Sequence, residues 1–138
     1  MLFAPQAVPP PATPNATMTL VSRDSATDAN EPLTYLATSF PEVTSAVFSI
    51  PPAGKTEWMT HPAPGYIYIL QGTLTVEFED GKRIDFKQGQ AFLQARTKWH
   101  RGLNTGNIPV RFLAVFYGAK GIPNVMHPPA GDPDAKSK

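Results

Sequence analysis

The 138-residue chain contains no cysteine. That removes thiol catalysis, zinc ribbons, iron–sulfur clusters and disulfide scaffolds in one step, and leaves the redox compartment open. Charge is scarce and balanced: 17% of residues are charged, with 12 basic against 11 acidic. No basic field of the kind nucleic acid requires is present. No apolar run approaches the roughly 18 residues of a membrane span. Met1-Leu2-Phe3-Ala4 meets Pro5 with no basic segment ahead of it, so no signal peptide is expected. No segment keeps a helical period over three turns. Gly-x-Gly-x-x-Gly, P-loop, Gly-x-Ser-x-Gly and His-Glu-x-x-His signatures are missing too. The expectation is a chain with neither nucleic-acid nor membrane partners. Its compartment stays undecided, cytoplasmic or exported after removal of a leader.

Proline, by contrast, is abundant: 16 residues, against a usual share of about 5%. Proline opposes long helices and central strands, which favours an all-β or loop-rich domain. The first charge is Arg23, and Pro5, Pro9, Pro10, Pro11 and Pro14 lie ahead of it. Residues 1–22 therefore read as an extended Pro-rich arm. Residues 126–138 read as a flexible tail, and 23–125 as the single folded domain.

That domain reads as strands. Val43–Ile50 is β-rich and stops at Pro51-Pro52-Ala53-Gly54. Tyr66–Leu70 is aromatic and β-branched. Thr73–Glu79 alternates polar and apolar, and Asp80-Gly81 after it is a strong hairpin signal. Lys82–Phe86 alternates again. Ala91–Gln94, Trp99–Asn104 and the long apolar run Val110–Tyr117 follow. Eight or so short strands with turns every six to twelve residues suggest a closed or sandwiched antiparallel sheet.

Residues 54–72 and 89–104 carry two spaced motifs. Gly54, His61 and Gly72 fit the first, and Gly89, His100 and Asn104 the second. Trp58 to Pro62 and Thr97 to Asn104 add local likeness. On these residues the chain resembles a small single-domain bacterial cupin, a jelly-roll β-barrel, over about residues 40–120. The resemblance implies a metal held by three His with or without a Glu. Here Met59 stands at the first His, Gly65 at the Glu, and Ala95-Arg96-Thr97 at the Pro-x-Gly corner. Two expected ligands, His61 and His100, remain.

Period two along a strand places Glu57, Met59 and His61 on one face, and His100, Gly102 and Asn104 on another. Two neutral imidazoles alone make a weak metal site. The expected ligand-binding residues are His61, His100, Met59, Gln94 and Asn104. The expected metal ligands are His61 and His100, with Glu57 as the one carboxylate of suitable parity, for a divalent transition metal of unspecified identity. Met59 reads either as a core gap-filler or as a thioether ligand for a soft ion. Arg101, opposite in parity to His100, is expected outside, and His127 as a free surface histidine.

Three functions remain in view. The first is a small-molecule-binding barrel with a depleted His-x-His/Glu site. The second is a metal-dependent dioxygenase or isomerase for a small organic acid or aromatic, with Glu57 completing a two-His-one-carboxylate triad. The third is a non-catalytic scaffold. A homodimer is expected, with Thr17–Val21 as an edge strand and either the Tyr66/Tyr68 face or the Val110–Tyr117 face as apolar contact area.

Overall fold

The structure is a computed structural model that describes residues 14–129. Residues 1–13 of the expected arm and 130–138 of the expected tail lie outside the described residues. Among the described residues there are seven antiparallel strands: β1 (Pro41–Ile50), β2 (Gly65–Gln71), β3 (Thr73–Phe78), β4 (Arg83–Lys87), β5 (Ala91–Leu93), β6 (His100–Leu103) and β7 (Val110–Ala119). They form a four-stranded sheet ordered β1-β7-β2-β5 and a three-stranded sheet ordered β4-β3-β6. The result is the expected all-β jelly-roll barrel. Pro41 opens β1 at a sheet edge, where a missing N–H costs no ladder bond.

Register explains which residues face in. Across the first sheet, Phe48, Phe112 and Ile69 are cross-strand partners, as are Ala46, Ala114, Ile67 and Phe92. Ile67, Ile69, Phe92, Phe112 and Ala114 of these rungs are in the buried core together with Leu74, Val76 and Phe78 of β3, with Phe48 packed against it. Phe86 of β4 stacks on Phe92 of β5 with ring centroids 3.8 Å apart, joining the two sheets. On the outer face of the second sheet, Glu77 lies between Arg83 and Arg101, each 2.7 Å away. Arg101 thus takes the outer face, and its guanidinium sits over the Trp58 ring at 4.4 Å. The Asp80-Gly81 turn closes the β3–β4 hairpin, with Gly81 at φ 86°, a value open to glycine.

One expected strand is not regular. Residues 55–61 pair with β6 only through isolated bridges, Lys55 with Leu103 and Met59 with His100. This run lies beside β6 and leads to His61. Thr17–Val21 forms no strand within the chain. The strand reading extends β1 and β7 by two residues each and shortens β6 to four.

Candidate metal and ligand site

His100 opens β6 opposite Phe78, on the inner face, while His61 follows the Met59 bridge and donates its backbone N–H to Arg96 O at 2.8 Å. The imidazoles meet inside the barrel, with Nε2 to Nε2 at 3.0 Å and both residues buried. Each Nδ1 lies 2.8 Å from a backbone carbonyl, Asn124 O for His61 and Lys98 O for His100. A carbonyl only accepts, so each Nδ1 bears the proton and each neutral ring presents a bare Nε2 lone pair. Burial, reinforced by the neighbouring His100, pushes His61 down to about 3. Burial also lowers His100, although the Lys98 carbonyl works against it. At neutral pH both rings are uncharged, and two lone pairs face each other at hydrogen-bond distance.

Such an arrangement repels unless a cation lies between the nitrogens. Two metal–imidazole bonds of about 2.1 Å span about 3.0 Å at the right angle of an octahedral ion, which is the separation present here, and about 3.4 Å at the tetrahedral angle that zinc prefers. The donor set therefore fits two adjacent positions on a transition-metal ion, and imidazole suits zinc, copper, iron or nickel better than calcium or magnesium. Among the described residues no third His, Cys, Asp or Glu joins the pair.

A cavity of about 40 Å³ adjoins the histidines, with Met59, Gln94, Phe112 and Phe116 in its lining. A water needs at least about 10–15 Å³, so the space has room for more than one. Gly65, at the motif's Glu position, brings no side chain, and Gln94 from the end of β5 lies against it. A Cβ there would collide with Gln94 Nε2 and come within 3.1 Å of Phe116 Cδ1. Gln94 is buried, and its Nε2 has no hydrogen-bond partner among the described residues.

Strand parity misplaces Glu57. Its side chain is 78% exposed and its Oε2 lies 3.3 Å from His127 Nδ1, whereas His61 is buried. Residues 57–61 do not form a regular strand, so period two does not carry through them. Asn104 also lies elsewhere: it does not line the cavity. Its Nδ2 donates to Ile50 O and Ile108 O, and its Oδ1 accepts from Gly106 N. Its amide ties the β6–β7 loop to the end of β1. His127 is not free, since it contacts Trp58 O at 3.1 Å besides Glu57.

Three supporting parts gave no signal in the sequence. The carbonyls of Asn124 and Lys98 are backbone atoms and carry no residue signature. A strap over residues 25–34 clamps the corner after β5. There Asp28 accepts from Ala95 N, and Glu31 accepts from Arg96 N, Thr97 N and Thr97 Oγ1. Arg96 in turn reaches Thr34 O, Thr34 Oγ1 and Pro62 O.

The barrel and its paired imidazoles define a cupin-type site. The family model described as "Cupin domain" matches residues 46–116, and the chain belongs to that family. No curated protein matches the sequence. Among solved structures, the chain is similar to an oxalate decarboxylase from Lactobacillus farciminis, at 24% identity and TM-score 0.54, over 62% of this chain and 26% of that one. It is also similar to the polyketide cyclase RemF from Streptomyces resistomycificus, at 22% identity and TM-score 0.56, over 69% and 70%. A cupin 2 domain-containing protein from Halorhodospira halophila gives 21% identity and TM-score 0.54, over 64% and 59%. The chain spans about a quarter of the decarboxylase chain. These likenesses establish the fold.

Proposed function

We propose that the barrel binds one divalent transition metal on His61 Nε2 and His100 Nε2, with a small molecule completing the coordination inside the cavity. The observation that carries this reading is the pair of bare Nε2 atoms at 3.0 Å, each fixed by a carbonyl behind it. When bound, the metal supplies Lewis acidity to an oxygen ligand. The two histidines orient it, and the apolar walls exclude bulk water. The exposed position of Glu57 argues against the two-His-one-carboxylate enzyme.

The test is to strip the protein with chelator, titrate it with Mn, Fe(II), Co, Ni, Cu and Zn, and count bound metal by mass spectrometry. One equivalent is expected for a late first-row ion. His61→Ala and His100→Ala should each weaken binding by about 100-fold or more, since even outer partners of a ligand cost roughly 10–100-fold. Equal uptake by wild type and the double alanine variant would sink the reading.

We also infer self-association through the β1 edge. Among the described residues, β1 has no ladder partner on its far side, and a ten-residue free edge is a liability. Residues 17–21 form no regular element and are uncharged, with Met18 88% and Leu20 60% exposed. The arm of a second copy fits that edge by adding a strand. Light scattering should give a mass near twice 15.0 kDa, and Leu20→Pro should lower it. A single-chain mass throughout a micromolar dilution series refutes the assembly.

A further inference from the structure

We propose that a tyrosine-lined groove outside the barrel receives the proline-rich segment of a second copy's arm, residues 9–14. This placement rests on the β1-edge assembly above and gives the arm its path beyond that edge.

The groove holds about 330 Å³, far more than the cavity at the histidines. Tyr35, Tyr66, Tyr117, Leu33, Leu93 and Pro64 line it, and these include three of the four tyrosines in the chain. Tyr66 and Leu93 come from β2 and the end of β5, Tyr117 from β7, and Leu33 from the strap. Ser22 Oγ donates to Tyr66 Oη at 3.3 Å and fixes one wall. Asp24 is the one charged residue of the lining among the described residues. Walls of this kind suit an uncharged occupant that packs on ring faces.

The arm has that composition. Pro9-Pro10-Pro11-Ala12-Thr13-Pro14 carries four prolines and no charge. Proline has no N–H to give a ladder, so strand addition by residues 17–21 stops short of Pro14. Proline-rich sequence instead favours the polyproline helix, and aromatic-lined grooves recognise that preformed shape.

Topology brings the two within reach. A strand added to β1 lies three strand spacings from β2, about 14 Å, and about four extended residues cover that distance. Counted from residue 17, they end at residue 13, inside the proline segment. The way across is apolar and open: Val43 of β1 and Tyr117 of β7 are ladder partners, 62% and 46% exposed, and Tyr66 follows on β2. The chain's own arm does not fit as the occupant. Ser22 already stands in the groove wall, so docking in its own groove needs the arm to reverse. Residues 14–24 contain no turn or bend, and residues 14–21 are exposed throughout.

The test uses the full chain with every tyrosine replaced by fluorotyrosine, followed by fluorine NMR and assigned with single phenylalanine variants. Tyr68, on the same face of β2 as Tyr66 but outside the groove, is the internal control. Combining Pro9→Ser, Pro10→Ser, Pro11→Ser and Pro14→Ser should shift the resonances of Tyr35, Tyr66 and Tyr117 and leave Tyr68 in place. Adding unlabelled wild type to this labelled variant should return the three resonances to their wild-type positions, because intact arms then enter the labelled grooves. Tyr35→Ala, at a residue 75% exposed, should weaken the dimer by about tenfold in a light-scattering dilution series. A dimer mass with the three resonances unmoved in the proline variant overturns the docking and leaves the β1-edge assembly standing. Resonances that move in the variant but do not return on mixing place the arm in its own groove, which overturns the second copy as occupant. A single-chain mass throughout refutes the assembly itself, and the second-copy docking with it.

Discussion

Between pH 5 and pH 8 the stability advantage of Asp28→Asn over wild type is expected to grow by about 3 kcal/mol. Asp28 sits in the strap, its Oδ1 accepting from Ala95 N at 2.8 Å. Its Oδ2 is closed off from solvent with no donor. Burial pushes its pKa from 3.8 up to about 7, and the neighbouring Glu31 charge adds to the rise, while the Ala95 N–H works against it. Because the folded value exceeds the unfolded one, the protonated group's contribution is complete below 3.8 and is lost as pH rises through 7. From pH 5 to about 7 that spans two pH units at about 1.4 kcal/mol each. His61 and His100 tilt the other way. Their folded values lie below 6.5, so their contribution is complete above 6.5 and is lost as pH falls, for His61 down to about 3. The opposing slopes overlap between 3.8 and 6.5, which is why the variant comparison isolates Asp28. Urea unfolding of both proteins at pH 5, 6.5 and 8 reads the difference directly. Parallel stability profiles within about 0.5 kcal/mol would show that the strap carboxyl does not titrate in this range.

Glu31, three residues on, behaves oppositely although burial alone would raise it. Hydrogen bonds from the Thr97 hydroxyl, the Arg96 and Thr97 N–H groups and the Thr27 hydroxyl outweigh that penalty and lower its pKa. Two carboxyls of one strap thus stay in different states near pH 5, Glu31 ionised and held by several donors, Asp28 protonated with one.

How much of this could be read from the residues follows from the range of the forces involved. Strands such as Thr73–Phe78 and Arg83–Lys87 were legible because side-chain alternation is local and the Asp80-Gly81 turn fixes their pairing. His61 and His100 were legible as a pair from motif spacing alone. Their bareness at Nε2 was not, because it depends on carbonyls of Asn124 and Lys98, contributed by backbone that any residue could supply. Gln94 was legible as a strand-end group near the cavity, but the place of its amide depends on the missing side chain at Gly65 in a neighbouring strand. Glu57 misled because period two holds only along a regular ladder, and residues 55–61 touch β6 at isolated bridges. His127 misled because a Pro-rich composition suggests fraying, whereas Thr60 pairs with Met126 and draws that segment across the barrel mouth. The strap was invisible for a similar reason, since Asp28, Glu31 and Arg96 meet across more than 60 positions.

Arg96→Ala is expected to cost about 2–3 kcal/mol of stability and to weaken metal binding by about 10–100-fold. The guanidinium donates to Thr34 O at 3.2 Å, to Thr34 Oγ1 at 2.7 Å and to Pro62 O, and its Nε lies 3.5 Å from His61 O. The residue's own carbonyl accepts the His61 N–H at 2.8 Å. One side chain thus ties the strap to the two residues that aim a histidine into the barrel. Removing it strands partly buried carbonyls, which is where the stability cost arises. The His61 backbone keeps its bond to the Arg96 carbonyl, so the ring stays near its place but loses the clamp that sets its angle. Ligand geometry is sensitive at that scale, and outer partners of metal-bound histidines are costly to lose. Arg96→Lys keeps the charge but replaces a fork of planar donors by a single ammonium, so it should recover part of the stability and less of the metal affinity. Thr34→Val removes only one exposed acceptor and should leave cobalt binding unchanged. Thermal unfolding together with cobalt calorimetry on these three variants separates the roles. If Arg96→Ala unfolds earlier yet binds cobalt as tightly as wild type, Arg96 fastens the strap alone, and the orientation of His61 is set entirely by its bond to the Asn124 carbonyl.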